Sequence, residues 1–332
     1  MAAQPQPSVG ELVDLRSLAP GRLDELLEEE TKVWQERLNW DFSGSAELVR
    51  RFANMGSLNG RALLCGGTVA GYAYFVAEEG KGLIGDIYVL KKFSTPDMEN
   101  RILTNSAEEL IRNWNCNRVE CQLLLLDAQR RNAPAFGKHP TFFDRNFMVL
   151  PQNGFQLQPR QFPTLCVIEP FNDRVDVHNE AARLVSESYS GHVDALINDQ
   201  YRSIPGARRF LRNIIQYPGC GAFNYEASFI ARETGSNRLL GISFASNVSA
   251  DSGHITQLCV TPRFRSTGLG YELLRRSIDA LGQAGARQVS LTVTTKNKIA
   301  VNFYERLGFR TENCFSAIVW EKKPGLVRSF FQ

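Results

Sequence analysis

Two stretches of this chain repeat one another in outline, and that repetition limits the fold more than any single motif does. Val89-Leu-Lys-Lys-Phe-Ser-Thr-Pro-Asp-Met-Glu-Asn-Arg-Ile-Leu103 lies against Val260-Thr-Pro-Arg-Phe-Arg-Ser-Thr-Gly-Leu-Gly-Tyr-Glu-Leu-Leu274. Val89 then meets Val260, Phe93 meets Phe264 and Leu103 meets Leu274. Further on, Phe142-Phe143-Asp144-Arg145 meets Phe303-Tyr304-Glu305-Arg306, after similar intervals. Strand-length apolar runs alternate with amphipathic stretches of helical length around both landmarks. The expected fold class is therefore α/β, with two tandem units, each a twisted mixed β-sheet flanked by helices. The expected division is residues 9–157 and 158–332, parted in the polar, proline-containing stretch Gln152–Pro163. A length of 332 residues suits two domains.

Periodicity supplies the elements. In the first half, Pro20–Leu38 reads as a helix with Leu23, Leu26, Leu27 and Val33 on one face, and Ala46–Met55 as a second. Strands are expected at Arg61–Cys65, Thr68–Val76 and Leu83–Leu90, then a helix over Pro96–Trp114 and a strand over Arg118–Leu126. Pro140–Arg145 reads as helical and Phe147–Leu150 as a strand. In the second half, helices are expected at Val175–Ser188, Gly206–Gln216, Gly268–Leu281 and Ile299–Leu307. Strands are expected at Cys166–Pro170, Ala227–Glu233, Leu239–Ser246, Ile255–Val260 and Gln288–Thr294, with two closing strands from Phe309 and at Ser316–Glu321.

Composition excludes several classes. Basic and acidic residues number 38 and 35 with no basic stripe, which argues against nucleic acid as a partner. No apolar run approaches the length of a membrane span, and the opening Met-Ala-Ala-Gln-Pro-Gln-Pro lacks the apolar core of a secretory signal and reads as a disordered tail. Seven scattered cysteines without a C-x-x-C pair argue against a disulfide framework and against a metal site, and favour a reducing, cytoplasmic setting.

One passage carries chemistry. The apolar run Ile255–Val260 leads through Thr261-Pro262-Arg263-Phe264 into Arg265-Ser266-Thr267-Gly268-Leu269-Gly270 and then an amphipathic helix. A strand feeding a glycine loop at a helix amino terminus is an anion site, because free N–H groups and the helix dipole point at one spot. The loop lacks the third glycine of a dinucleotide fingerprint and the Gly-Lys-Ser/Thr of a nucleotide-triphosphate loop. Its glycines alone leave a plain turn and a phosphate cradle both open.

The string R-x-x-G-x-G after L-x-V-x-P-x-[FY] resembles the acyl-CoA loop of the GNAT superfamily of N-acetyltransferases. Asn297-Lys-Ile-Ala300-Val-Asn-Phe303-Tyr304-Glu-Arg-Leu-Gly308-Phe309 resembles that family's N-x-x-A-x-x-F-Y-x-x-x-G-F segment. The likeness is close over Leu165–Lys322 and topological over Leu12–Leu150. It implies acetyl-CoA as acyl donor, no metal, and a small-molecule or peptide amine as acceptor. Leu258 and Val260 would offer backbone groups to the pantetheine arm, with Cys259 between them either lining the site or filling the core. Arg265 through Gly270 would cradle the pyrophosphate and Tyr271 continue that turn; Arg265 either adds a charge-assisted contact or is solvated. Asn297 would bond the cofactor arm, cap a helix, or both, with Phe303 beside it. Tyr304 resembles the family's general acid, which protonates the departing thiolate; otherwise it packs as a half-buried aromatic.

The chain departs from the pattern at the base, where His254 stands in place of a glutamate. It is either a base near neutral pH or a surface residue after the Asp251-Ser-Gly turn, with Thr256 and Gln257 as the alternative, a water relay. Tyr189, His192, Asp194 and Tyr201 populate the expected acceptor loop. The first half departs further: Ser94 stands for Arg265, Asp97 and Glu99 for the two glycines, and Phe143 for Tyr304. It is expected to bind no cofactor and to shape the acceptor cleft or a homodimer interface. The implied activity is acetyl transfer to a primary amine; the alternatives are a non-catalytic acetyl-CoA sensor or an interaction module.

Overall fold

The computed structural model describes residues 10–127, 140–217 and 219–321. In chain order the elements are β1 (Glu11–Asp14), α1 (Asp24–Leu38), α2 (Ser43–Asn54), β2 (Gly60–Cys65), β3 (Thr68–Glu78), β4 (Lys81–Val89), α3 (Pro96–Arg112), β5 (Arg118–Asp127) and β6 (Thr141–Pro151). There follow β7 (Cys166–Pro170), α4 (Val175–Ser188), α5 (Asp194–Ile197), α6 (Ile204–Gln216), β8 (Ala222–Glu233), β9 (Leu239–Ser249), β10 (Ser252–Val260), α7 (Leu269–Gln283), β11 (Gln288–Thr294), α8 (Lys298–Arg306) and β12 (Arg310–Glu321).

These elements form two compact units that interleave in sequence. One draws on residues up to Glu30, Ala46–Phe143 and from Phe315; the other on Thr31–Ser45 and Asp144–Cys314. In the first unit the strands run in the order β1-β2-β3-β4-β5-β12. Among its described strands only β4 and β5 pair in parallel; β12 closes the edge antiparallel to β5. Its core gathers Ile84, Ile102, Leu110, Val119 and Trp320 among others. In the second unit the order is β7-β8-β9-β10-β11-β6. Here β10 and β11 are parallel and β6 closes the edge antiparallel to β11. The helices α4 and α6 pack on one face of that sheet and α7 and α8 on the other.

The two orders match element for element, except that each unit ends on the other half's last strand. The contiguous division at 157/158 is thus a division of sequence, while packing exchanges β6 and β12. Both exchanged strands contain runs buried on both faces, Phe147–Leu150 and Phe315–Trp320. Such runs require a neighbour but do not specify which one.

Pro140–Arg145 is not a helix: Thr141–Pro151 is one continuous strand. Thr141, Phe142 and Phe143 favour a pleated, half-buried surface, and the window was too short for a helical period to decide. Phe143 therefore sits on β6 and does not correspond to Tyr304 on α8. The segment that would correspond to α8 falls outside the described residues, as does the tail ahead of Gly10. The two closing strands expected from Phe309 are one, β12.

Candidate active site

The site begins where two parallel strands part. β10 and β11 stay in register from Ser252↔Gln288 to Ile255↔Leu291, yet β10 continues to Val260 and β11 to Thr294. At the same point the pairing of β10 with β9 shifts, Ile255 facing Ala245 and Gln257 facing Phe244. Thr256 is the extra residue, and its hydroxyl bonds the Phe244 carbonyl at 3.1 Å. A bulge bends its strand. It also inverts the alternation beyond it. Leu258 and Val260 pack toward α7, while Cys259 packs with α4 and α6. Gln257 donates to the Tyr189 hydroxyl at 2.8 Å. Among the described residues the β10 edge facing β11 has no ladder partner after Ile255, which leaves that edge for a ligand to pair with.

That edge runs into the glycine loop. Ser266 and Gly268 are left-handed, with φ of 60° and 88°, and such residues curl a backbone so that its N–H groups converge. The first helical bond of α7 runs from the Glu272 amide to the Gly268 carbonyl, 3.0 Å. The amides of Leu269, Gly270 and Tyr271 precede it and are the unpartnered donors of the helix start, with no side-chain cap at Gly268. Thr267 ties the turn internally through the Phe264 carbonyl, 2.8 Å. Convergent amides followed by an open strand edge fit a ligand with a pyrophosphate at one end and an amide-bearing arm, as in acetyl-CoA.

Two loop side chains behave differently from expectation. Arg265 donates Nη2 to the Ser188 carbonyl at the end of α4, 2.7 Å, and so pins the loop to that helix. Tyr271 turns inward, is buried, donates its hydroxyl to the Gln158 carbonyl at 2.6 Å and carries the Arg160 guanidinium on its ring. Its backbone alone faces the cradle. Cys259 is buried, and burial raises its thiol to about 12, so it stays protonated.

At the end of β11, Asn297 caps α8, accepting from the Ala300 amide at 3.2 Å, while its Nδ2 lies 3.2 Å from His192 Nε2. Thr294 donates its hydroxyl to Asp194 Oδ1, and Asp194 Oδ2 is 3.6 Å from His192 Nδ1. Tyr189 and Tyr201 stack at 4.4 Å. Tyr304 packs edge-on to Phe309 at 5.7 Å, and Phe303 lies beside it, half-buried. Burial, and then the Asp194 charge, hold the Tyr304 phenol well above its usual range. It therefore stays protonated at neutral pH. Sequence reasoning placed Tyr189, His192, Asp194 and Tyr201 near the acceptor. It missed their couplings to Asn297, Thr294 and Gln257, because these join residues 68 to 105 positions apart.

His254 does not lie on the surface. It is 5% exposed, with the Trp40 ring at 5.1 Å and the Phe147 ring stacked at 6.2 Å. Its Nδ1 is 2.9 Å from the Ser290 hydroxyl, which itself donates to the Gly253 carbonyl. Burial, then the Arg145 charge, lower its pKa to about 3. It is a neutral core residue, and this geometry does not suit the base role. The covering ring comes from the segment Thr31–Ser45, more than 200 positions earlier.

In the first unit, α3 starts nearer its strand and fills its own amino terminus. Thr95 accepts from the Met98 amide at 3.3 Å, Pro96 has no N–H, and Asp97 and Glu99 place carboxylates in the first turn. Ser94 bonds Glu99 at 2.8 Å. Little remains there for a phosphate.

Residues 194–309 match the Acetyltransferase (GNAT) family. The chain is 35% identical over 57 residues to N-alpha-acetyltransferase 30 of Schizosaccharomyces pombe, which is 17% of this chain and 38% of that protein. It is 39% identical over 57 residues to N-alpha-acetyltransferase MAK3 of Arabidopsis thaliana, 17% of this chain and 30% of that protein. The chain thus spans well under half the length of these relatives. Among solved structures, a GCN5-related N-acetyltransferase from Sphaerobacter thermophilus superposes with a TM-score of 0.67 at 18% identity, covering 96% of this chain and 98% of that one. A tandem GNAT protein from the clavulanic acid biosynthesis pathway superposes with a TM-score of 0.58 at 13% identity, covering 95% and 99%. Among the described residues no cluster of metal-ligating side chains occurs, and no helix is long and apolar enough to cross a membrane.

Proposed function

We propose that the second unit, whose residues 194–309 match the Acetyltransferase (GNAT) family, binds acetyl-CoA and transfers the acetyl group to a primary amine. The observation that carries this reading is the open β10 edge running directly into the uncapped start of α7, with Asn297 capping α8 beyond β11 and Tyr304 of α8 on the same core as Leu258. Amides of Leu269 and Gly270 would hold the pyrophosphate, and backbone groups of Leu258 and Val260 the pantetheine arm. Asn297 would orient that arm while capping α8. The relatives' names favour an α-amino group as acceptor.

The chemistry follows from what these groups hold. The neutral amine attacks the thioester carbonyl, the C–N bond forms and the C–S bond breaks. Tyr304, kept protonated by burial and by Asp194, donates to the departing thiolate. The proton path on the amine side avoids His254. Seven free thiols, five of them buried, fit a reducing cytoplasm.

The test is a thermal-shift titration with acetyl-CoA together with thiol release across a panel of amino acids, peptides, polyamines and amino sugars. Stabilisation with turnover supports the reading. Stabilisation without turnover on any of them would make the protein a sensor, and absence of both would remove the loop assignment.

A further inference from the structure

The motifs above name a proton donor for the thiolate but nothing to receive the acceptor. Asp194 lies in neither motif, on the short helix α5. Its Oδ1 accepts the Thr294 hydroxyl at the point where β11 has parted from β10. Its Oδ2 is within 3.6 Å of His192, whose other nitrogen meets Asn297. The carboxylate is therefore held from the strand end, while His192 Nδ1 accepts from the Asp194 amide at 3.2 Å and keeps the imidazole beside it. Its side chain is 16% exposed, deep enough to be held and open enough to be reached. The phenols of Tyr304, Tyr201 and Tyr189 are raised first by burial and then in part by the Asp194 charge, behind Tyr201 and Cys259 in the case of Tyr189, and Tyr189 packs edge-on to His192 at 5.3 Å. Protonated phenols cannot take a proton, and His254 is enclosed. A part-buried carboxylate with aromatic rings in its neighbourhood is also how a protein binds an ammonium, by charge and by attraction to the rings.

We propose that Asp194 anchors the acceptor's ammonium group and accepts its proton, so that the site selects a cationic primary amine over an alcohol or thiol of the same skeleton. This rests on the acetyltransferase reading above. The ammonium passes one proton to Asp194, and the freed nitrogen attacks the thioester carbon. The C–S bond breaks as Tyr304 protonates the thiolate. The second nitrogen proton returns to the Tyr304 oxygen, and Asp194 releases its proton to water. One amide, one thiol and one proton result.

The experiment compares wild type with Asp194→Asn and Asp194→Glu, using the best amine from the panel and its hydroxyl analogue. Acetyl-CoA affinity is read by calorimetry and kcat/KM across pH. Asp194→Asn should lower kcat/KM for the amine by about 100-fold or more and move the acid limb of the profile. It should leave acetyl-CoA affinity within about twofold and abolish the preference over the hydroxyl analogue. Asp194→Glu should recover part of the rate. The groups facing Asp194 that also titrate or carry charge are His192, Tyr189, Tyr201 and Tyr304, with Arg145 reaching Tyr201; a limb that moves in Asp194→Asn separates Asp194 from them. Rates within about threefold of wild type with an unmoved limb would overturn the proposal, as would loss of acetyl-CoA affinity in the variant, which marks a structural role. A wild-type protein that acetylates nothing overturns the parent reading as well.

Discussion

Replacing His254 by leucine should flatten the acid side of the stability curve and leave the acid side of the activity curve where it was. In the folded chain the imidazole sits between Trp40 and Phe147 with a pKa near 3, against 6.5 for a solvated histidine. Burial depresses it, so the unfolded chain binds the extra proton. The stabilisation is therefore complete above pH 6.5 and is lost as pH falls toward 3. Between pH 7 and pH 5 the linkage amounts to about 2 kcal/mol, at about 1.4 kcal/mol per pH unit once the unfolded histidine is charged. With a urea slope of about 3 kcal/mol/M, that is roughly 0.6 M in midpoint. The assay is urea unfolding of wild type and His254→Leu at both pH values. The difference of differences cancels every other titrating group. Leucine leaves the Ser290 hydroxyl bonded to the Gly253 carbonyl, so no orphaned donor is created. Wild type should lose about 2 kcal/mol more than the variant on acidification. An equal loss in both proteins would refute the enclosure argument. So would disappearance of the acid limb of kcat/KM in the variant, since that would restore His254 as the base.

The other predictions are independent of this one. Trp40→Ala should cost about 3–5 kcal/mol as a large core truncation and raise the His254 pKa, read by NMR titration of its imidazole. Gly268→Ala should destabilise by about 2 kcal/mol or more, because its φ of 88° is left-handed and an added Cβ would lie 2.5 Å from the Gln161 carbonyl. Gly270→Ala should be neutral or stabilising by up to about 0.5 kcal/mol, since its Cβ would meet only Val260 at 3.4 Å; thermal melts separate the two. Tyr304→Phe should lower kcat by about 100-fold or more while keeping acetyl-CoA affinity, measured by steady-state kinetics and calorimetry.

Local chemistry was legible in the sequence; closure of the chain on itself was not. Val260 through Gly270 and Asn297 through Phe309 carry their strand, loop and cap signals within a few residues, and the structure places each where those signals put it. The parting of β10 from β11 coincides with a bulge at Thr256, which no periodicity announces. The exchange of β6 and β12 was hidden because Phe147–Leu150 and Phe315–Trp320 satisfy burial against any apolar edge. His254 misled for a related reason. Its neighbours Asp251, Ser252 and Gly253 read as an exposed turn, while the ring that buries it arrives from Trp40. Arg265 was legible as part of the loop, but its bond to Ser188 depended on where α4 ends.

The central claim is that one unit of this tandem chain holds acetyl-CoA and the other does not. Calorimetric titration of the full chain with acetyl-CoA tests it most directly. The open edge of β10 and the uncapped start of α7 predict one molecule bound per chain, because Thr95, Pro96, Asp97 and Glu99 close the corresponding start of α3. Two molecules per chain, or none, would contradict it.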